Sequence, residues 1–128
     1  MRKKLVVFIS IAFIVMLAAC GGEKVDDETA TKYINKAEEI IHLLNDDDYG
    51  AVVDEFSDDL KAELTEDQLR EIEPVIQDSG EYEEVKKSSV EKSEGVFVTV
   101  IAAKYSKDDR IFTISFNDAD EVVGLFVK

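Results

Sequence analysis

Tryptophan is missing from this chain, and cysteine, proline and histidine occur once each. A single thiol, Cys20, forms no internal disulfide and assembles no cysteine-based metal site. A single histidine, His42, limits acid–base chemistry: it lies off the apolar stripe of its segment, beside Glu38 and Asn45, and reads as a solvated surface group with no reach into a pocket. Positive charge is scarce, 15 Lys and Arg against 29 Asp and Glu in 128 residues. Three of those cations, Arg2, Lys3 and Lys4, open the chain, so residues 20–128 hold 12 cations against 29 acids, a net charge of −17. That balance excludes binding to nucleic acid or anionic headgroups through a basic surface. Gly50, Gly80, Gly95 and Gly124 stand isolated, which leaves no phosphate-cradling loop, and no serine has the flanking glycines of a nucleophile elbow.

What is present begins with a three-part leader. Arg2-Lys3-Lys4 is followed by an apolar stretch from Leu5 to Leu17, broken only by Ser10, and then by Ala18, Ala19, Cys20 and Gly21. Charge, apolar stretch and small residues at the cut are the layout of a secretory signal peptide. The stretch is shorter than the roughly 20 apolar residues that span a bilayer. Leu17-Ala18-Ala19-Cys20 resembles the bacterial lipobox. The resemblance implies cleavage between Ala19 and Cys20, a diacylglyceryl group on the Cys20 thiol, and residence on the outer face of the cell membrane. Two acyl chains anchor stably, since each buried CH₂ contributes about 0.8 kcal/mol. Residues 1–19 are thus predicted to be the signal peptide, 20–28 the lipidated cysteine and a polar tether, and 29–128 one domain, a length that supports a single modest core.

The first fifty residues of that domain carry helical spacing. Ile34, Ala37, Ile40, Ile41 and Leu44 recur at steps of three and four. Asn45-Asp46-Asp47-Asp48 interrupts the pattern and can cap a second helix that presents Val52, Val53 and Phe56. Ser57-Asp58-Asp59 can start another, with Leu60 and Leu64 inward. Thr65-Glu66-Asp67-Gln68 fits a capping box, flanked by Leu64 and Leu69 at hydrophobic-staple positions. Pro74 is expected to interrupt the helix that follows, and Gly80 to end it.

From Glu81 the period changes to two. Four strands are predicted, at about 82–92, 95–106, 110–117 and 121–127, joined by turns at Gly95, Lys107-Asp108-Asp109 and Asn117–Asp120. Helices followed by a meander predict an α+β fold, N-terminal helices packed on one face of a curved four-stranded antiparallel sheet. The second strand is apolar on both sides: Val96, Val98, Val100 and Ala102 alternate with Phe97, Ile101, Ala103 and Tyr105. A sheet with one wet face alternates apolar and polar. One side is therefore expected beneath the helices, and the other beneath a second copy, a partner or the sheet's own curl. Val98, Val100, Phe97, Ile101 and Phe126 are the candidate interface residues. Charge agrees with this division, −14 over residues 20–80 and −3 over residues 81–128.

Asn45–Tyr49, Val52–Ser57, Leu64–Leu69 and Gly80-Glu81-Tyr82 resemble an uncharacterised domain family of Gram-positive bacterial lipoproteins, over about residues 30–128. The resemblance implies a cone similar to nuclear transport factor two and cystatin, helices packed into a strongly curved antiparallel sheet. It also implies a tendency to dimerise through the sheet. It brings no activity with it.

The acidic runs have a structural reading. Asp46–Asp48 lacks the spaced ligands and distant bidentate acid of a calcium loop and suits helix capping. Asp118, Asp120 and Glu121 suit a hairpin turn. Tyr33, Tyr49, Tyr82 and Tyr105 suit core packing with hydroxyls at the rim. No catalytic residue, cofactor or metal site is assigned. The expectation is a lipid-anchored, non-catalytic ligand- or protein-binding domain. A cone-fold enzyme acting on a small apolar substrate and a cation-binding envelope protein are the alternatives.

Overall fold

The computed structural model describes residues 23–128, so the leader and Cys20 lie outside the described residues. Strand β1 (Glu23–Lys24) is followed by helices α1 (Asp27–Asn45), α2 (Tyr49–Asp54), α3 (Asp58–Glu63) and α4 (Glu66–Leu69). A 3₁₀ turn (Arg70–Ile72) and α5 (Glu73–Asp78) come next, and then β2 (Tyr82–Ser93), β3 (Val96–Tyr105), β4 (Arg110–Phe116) and β5 (Val122–Val127). The sheet is antiparallel throughout, in the order β1-β2-β3-β4-β5.

The four predicted strands are present, but the sheet has five. The fifth, β1, lies in the stretch read as a tether; Glu23 pairs with Lys92 and Lys24 with Glu91. Both β1 side chains are exposed, so only backbone bonds hold the strand and no apolar alternation marks it in the sequence. The domain also starts earlier than residue 29. Asp26 caps α1, accepting bonds from the Thr29 backbone N–H (3.3 Å) and hydroxyl (2.6 Å).

Helix α1 is the central element on the helical side. Its 19 residues span about 28 Å at 1.5 Å per residue. Tyr33, Ala37, Ile40, Ile41 and Leu44 are buried along one face. They meet the inward side chains of the sheet, where Ile101, Phe112 and Ile114 have no exposure and Phe116 almost none. Register shifts interrupt the pairing of β2 with β3 at Tyr82/Glu84 and Val85/Lys87, and of β4 with β5 at Ser115/Phe116; bulges of this kind increase local twist.

Short helices close the rest of the core, and α2, α3 and α4 are each started by a side-chain cap. Asp48 accepts from Ala51 N at the start of α2, and Ser57 from Leu60 N at the start of α3. Before α4 the capping box is complete: Thr65 Oγ1 accepts from Gln68 N while Thr65 N donates to Gln68 Oε1 at 2.9 Å. Pro74 sits in the first turn of α5, where its missing N–H costs nothing, and a 3₁₀ turn separates it from α4. Gly80 ends α5 with φ +90°; a Cβ there would lie 2.0 Å from Ser106 Oγ, so the position requires glycine. Phe56 joins the two layers. Its neighbours Ser57 N and Val122 O bond at 2.8 Å, as do Val122 N and Glu55 O, which clips the α2–α3 link to the start of β5.

Thr99 is fully buried on the inner face, between Val90 and Ile114 in register, and its Oγ1 has no hydrogen-bond partner among the described residues. A buried hydroxyl without a partner costs more than a methyl group of similar shape. Thr99→Val is therefore expected to raise unfolding stability by about 1 kcal/mol in urea titration; a loss of stability contradicts this packing.

Candidate functional site

Strand β3 divides the chemistry of the sheet between its faces. Phe97, Thr99, Ile101, Ala103 and Tyr105 point to the helices, while Val96, Val98, Val100 and Ala102 point outward and remain half-buried. The predicted interface residues separate accordingly. Val98 and Val100 lie on the outer face, and Phe126 joins them with 71 % of its surface exposed. Ile101 has no exposed surface and belongs to the core, and Phe97 stacks on the Tyr33 ring at 4.5 Å. These two are removed from the outer-face set, because successive strand residues point to opposite sides.

Two cross-strand rows organise the outer face. Val100 stands opposite Thr113, which stands opposite Phe126; Val98 stands opposite Ser115, which stands opposite Gly124. The first row ends in the bulky Phe126, whereas the second falls from valine through serine to glycine. A Cβ on Gly124 would approach Phe126 Cε2 at 3.9 Å, so the phenyl ring leans toward the low row. Ile111, 36 % exposed, extends the apolar surface, and Ser89 and Glu91 of β2 border it opposite Val100 and Val98. Val122, absent from the sequence-based core, takes a buried position opposite Phe116 because the register shift at Ser115/Phe116 displaces the count.

At the far end of β2 and β3 an open cleft of about 330 Å³ is lined chiefly by Asn45, Ile76, Gln77, Tyr82 and Tyr105, with Asp47 and Glu81 at its margin. Its parts come from the C-terminus of α1, from α5 and from the strand ends. Tyr105 Oη donates to Asn45 Oδ1 at 2.6 Å, while Asn45 Nδ2 is buried without a partner among the described residues. The Tyr82 ring meets Tyr105 edge-on at 5.6 Å and His42 edge-on at 5.4 Å. His42 is exposed and packs on the ring from outside. A second opening, about 310 Å³, lies beside β1 and is lined by Lys24, Val25, Thr29, Lys92 and Phe97 among others.

The tyrosines are held neutral. Burial pushes Tyr33 up to about 12, helped by the bond its hydroxyl donates to Asp120 (2.8 Å). Burial likewise raises Tyr49 to about 12, with the neighbouring Asp47 carboxylate adding to it. Tyr105 reaches about 12 through burial, against the opposing effect of Asn45. At neutral pH the cleft therefore offers phenol hydroxyls for hydrogen bonding and no phenolate base.

The acidic runs serve the backbone and its neighbours. Asp48 caps α2, and Asp47 accepts from Tyr49 Oη at 3.2 Å. Asp120, at φ +64°, lies 2.9 Å from Lys32 Nζ; that ammonium and the Tyr33 hydroxyl hold its carboxyl below the usual range. Among the described residues no group of three or more His, Cys, Asp or Glu side chains stands together to hold a metal ion, and no helix is long and apolar enough to cross a membrane.

A family model described as a protein of unknown function (DUF3887) matches residues 37–125, and the chain belongs to that family. The match runs from the middle of α1 into β5, so it takes in the packed core. No curated protein and no solved structure matches the chain.

Because folding favours the protonated phenols, Tyr33, Tyr49 and Tyr105 contribute stability that is complete below their ordinary value of 10.0 and lost as the pH rises through about 12. Phenolate absorbance during an alkaline titration should show most tyrosine ionising above pH 11, together with unfolding. Full ionisation near 10 with the fold intact contradicts their burial.

Proposed function

We propose that the chain is a lipoprotein held on the outer face of the cell membrane through diacylglyceryl Cys20. Its domain binds protein without catalysis and pairs with a second copy through the outer face of the sheet. The observation that carries this reading is the outer face of the sheet, where Val96, Val98 and Val100 are half-buried and Phe126, 71 % exposed, stands two strands away across Thr113. Exposed apolar surface gathered on one face supports an interaction site there.

A second copy is the occupant that charge and shape favour. At −17 beyond the leader, two copies repel wherever their helical sides meet; the segment 81–128, at −3, is the surface they can bring together at least cost. A two-fold axis sets the same patch against itself, so a raised feature needs a low one on its own surface. Phe126 is the raised feature, and the Ser115–Gly124 row beside it is the low one. The register shifts in β2 and at Ser115/Phe116, irregularities that increase local twist, support reading the fold as a cone of the nuclear transport factor two type.

Sedimentation velocity on the chain from residue 21 onward tests the pairing. The native sequence is expected to dimerise, and Phe126→Asp to weaken association at least tenfold. The thermal midpoint should stay nearly unchanged, since a change at an exposed side chain typically costs less than about 0.5 kcal/mol. A monomer in both forms, or a dimer that tolerates Asp at 126, refutes the proposal.

A further inference from the structure

Strand β1 ties the chain to the sheet at a particular place. Glu23 and Lys24 pair with Lys92 and Glu91, next to the turn Glu94-Gly95 that joins β2 to β3. The chain stays pinned beyond that point: Val25 packs against the core and Asp26 caps α1. We infer that β1 is an orienting clip, which seats the β2–β3 hairpin end of the domain on the phospholipid headgroups and holds the tyrosine-lined cleft at the opposite, outward end. The inference rests on the lipid anchor at Cys20.

The length of the leash decides the orientation. Three residue steps lead from Cys20 to Glu23, and at no more than about 3.5 Å each they reach about 10 Å, whatever conformation they take. Without β1 the first fixed residue would be Val25, five steps from the anchor, and the reach would rise to about 17 Å. The difference matters for a body of charge −17 beside a bilayer. Electrostatic repulsion from anionic headgroups pushes the domain outward and falls off over a Debye length of about 8 Å. A leash of about 17 Å lets the domain retreat by nearly another Debye length and tilt; one of about 10 Å does not.

The same connection fixes which end faces out. Strand β2 has 12 residues, so Tyr82 lies up to about 35 Å from Ser93 along the strand. Helix α1 covers the distance in parallel, starting beside β1 and delivering Asn45 to the cleft. The cleft is therefore held away from the bilayer. Gly95, with open space around its Cα and φ +79°, is at the membrane-facing tip. Lys24 and Lys92 stand at that end among the acids Glu23, Asp26, Glu91 and Glu94, so the short leash and not charge attraction holds it to the bilayer.

The experiment uses the full lipidated chain in vesicles of phosphatidylethanolamine and phosphatidylglycerol that carry a headgroup nitroxide lipid. One protein bears a fluorophore at Glu94→Cys and another at Asp78→Cys; the Cys20 thiol is occupied by lipid. Quenching is expected to be at least threefold stronger at 94 than at 78. Joint replacement of Glu23→Pro and Lys24→Pro, which removes the β1 ladder donors, is expected to halve the quenching at 94. Equal quenching at the two sites, stronger quenching at 78, or quenching at 94 indifferent to the prolines overturns the inference. Flotation of the same samples separates the two failures. A chain that does not float contradicts the lipid anchor and the orientation with it, whereas a floating chain quenched equally at both sites contradicts the orientation alone.

Discussion

The burial of one face of α1 against the inner side of the sheet is the interaction on which the other features depend. Tyr33, Ala37, Ile40, Ile41 and Leu44 on the helix, and Ile101, Phe112, Ile114 and Phe116 on the strands, are buried in one core cluster. Since that burial is the main favourable term in folding, the rest of the chain is arranged around it. The register shifts let the pairing depart from strict alternation where the core needs it, and the Glu55–Val122 and Ser57–Val122 backbone bonds tie the α2–α3 link to β5. The Tyr33–Asp120–Lys32 cluster ties α1 to the last hairpin, and the Tyr105–Asn45 bond ties the end of α1 to the end of β3.

Using one face of β3 for the core leaves the other face to be explained. Val96, Val98 and Val100 point away from α1 and remain half-buried without its cover. Their presence on the same face as the exposed Phe126 is a cost in solubility, which the proposed pairing with a second copy would remove. The strongly acidic segment 20–80 supplies the solubility that the sheet side lacks, and its repulsion would direct the proposed association to the sheet side. Core, outer face and charge distribution thus follow from a single decision about which side of the sheet the helix covers. On the proposed lipid anchor, the leash at β1 would set how the domain stands on the membrane.

Much of this organisation is legible in the residues. The four strand segments fall within a residue or so of their places, because period-two runs bounded by Gly95, Asp108-Asp109 and Asn117–Asp120 leave few alternatives. The capping box at Thr65 and Gln68, the interruption at Pro74 and the stop at Gly80 are local chemistry and appear where local chemistry puts them. What escapes has physical causes. Strand β1 is held by backbone bonds alone and leaves no side-chain trace. Val122 enters the core through a register shift that strict alternation cannot anticipate. Tyr33 keeps the helical spacing to Ala37 and was legible had its ring been counted as apolar. The cleft joins Asn45, Ile76 and Tyr105, residues far apart in the chain that only the tertiary fold brings together. The side of β3 that the helix would cover was not readable, since both sides are apolar; the structure alone assigns Phe97 and Ile101 inward.

Methyl spectra of the valine-labelled domain, followed on dilution, test the central claim most directly. If the outer face is where two copies meet, the methyl signals of Val96, Val98 and Val100 shift with concentration while those of the buried Val52, Val90 and Val122 stay fixed. Signals that all stay fixed, or buried and outer valines that shift together, contradict the account.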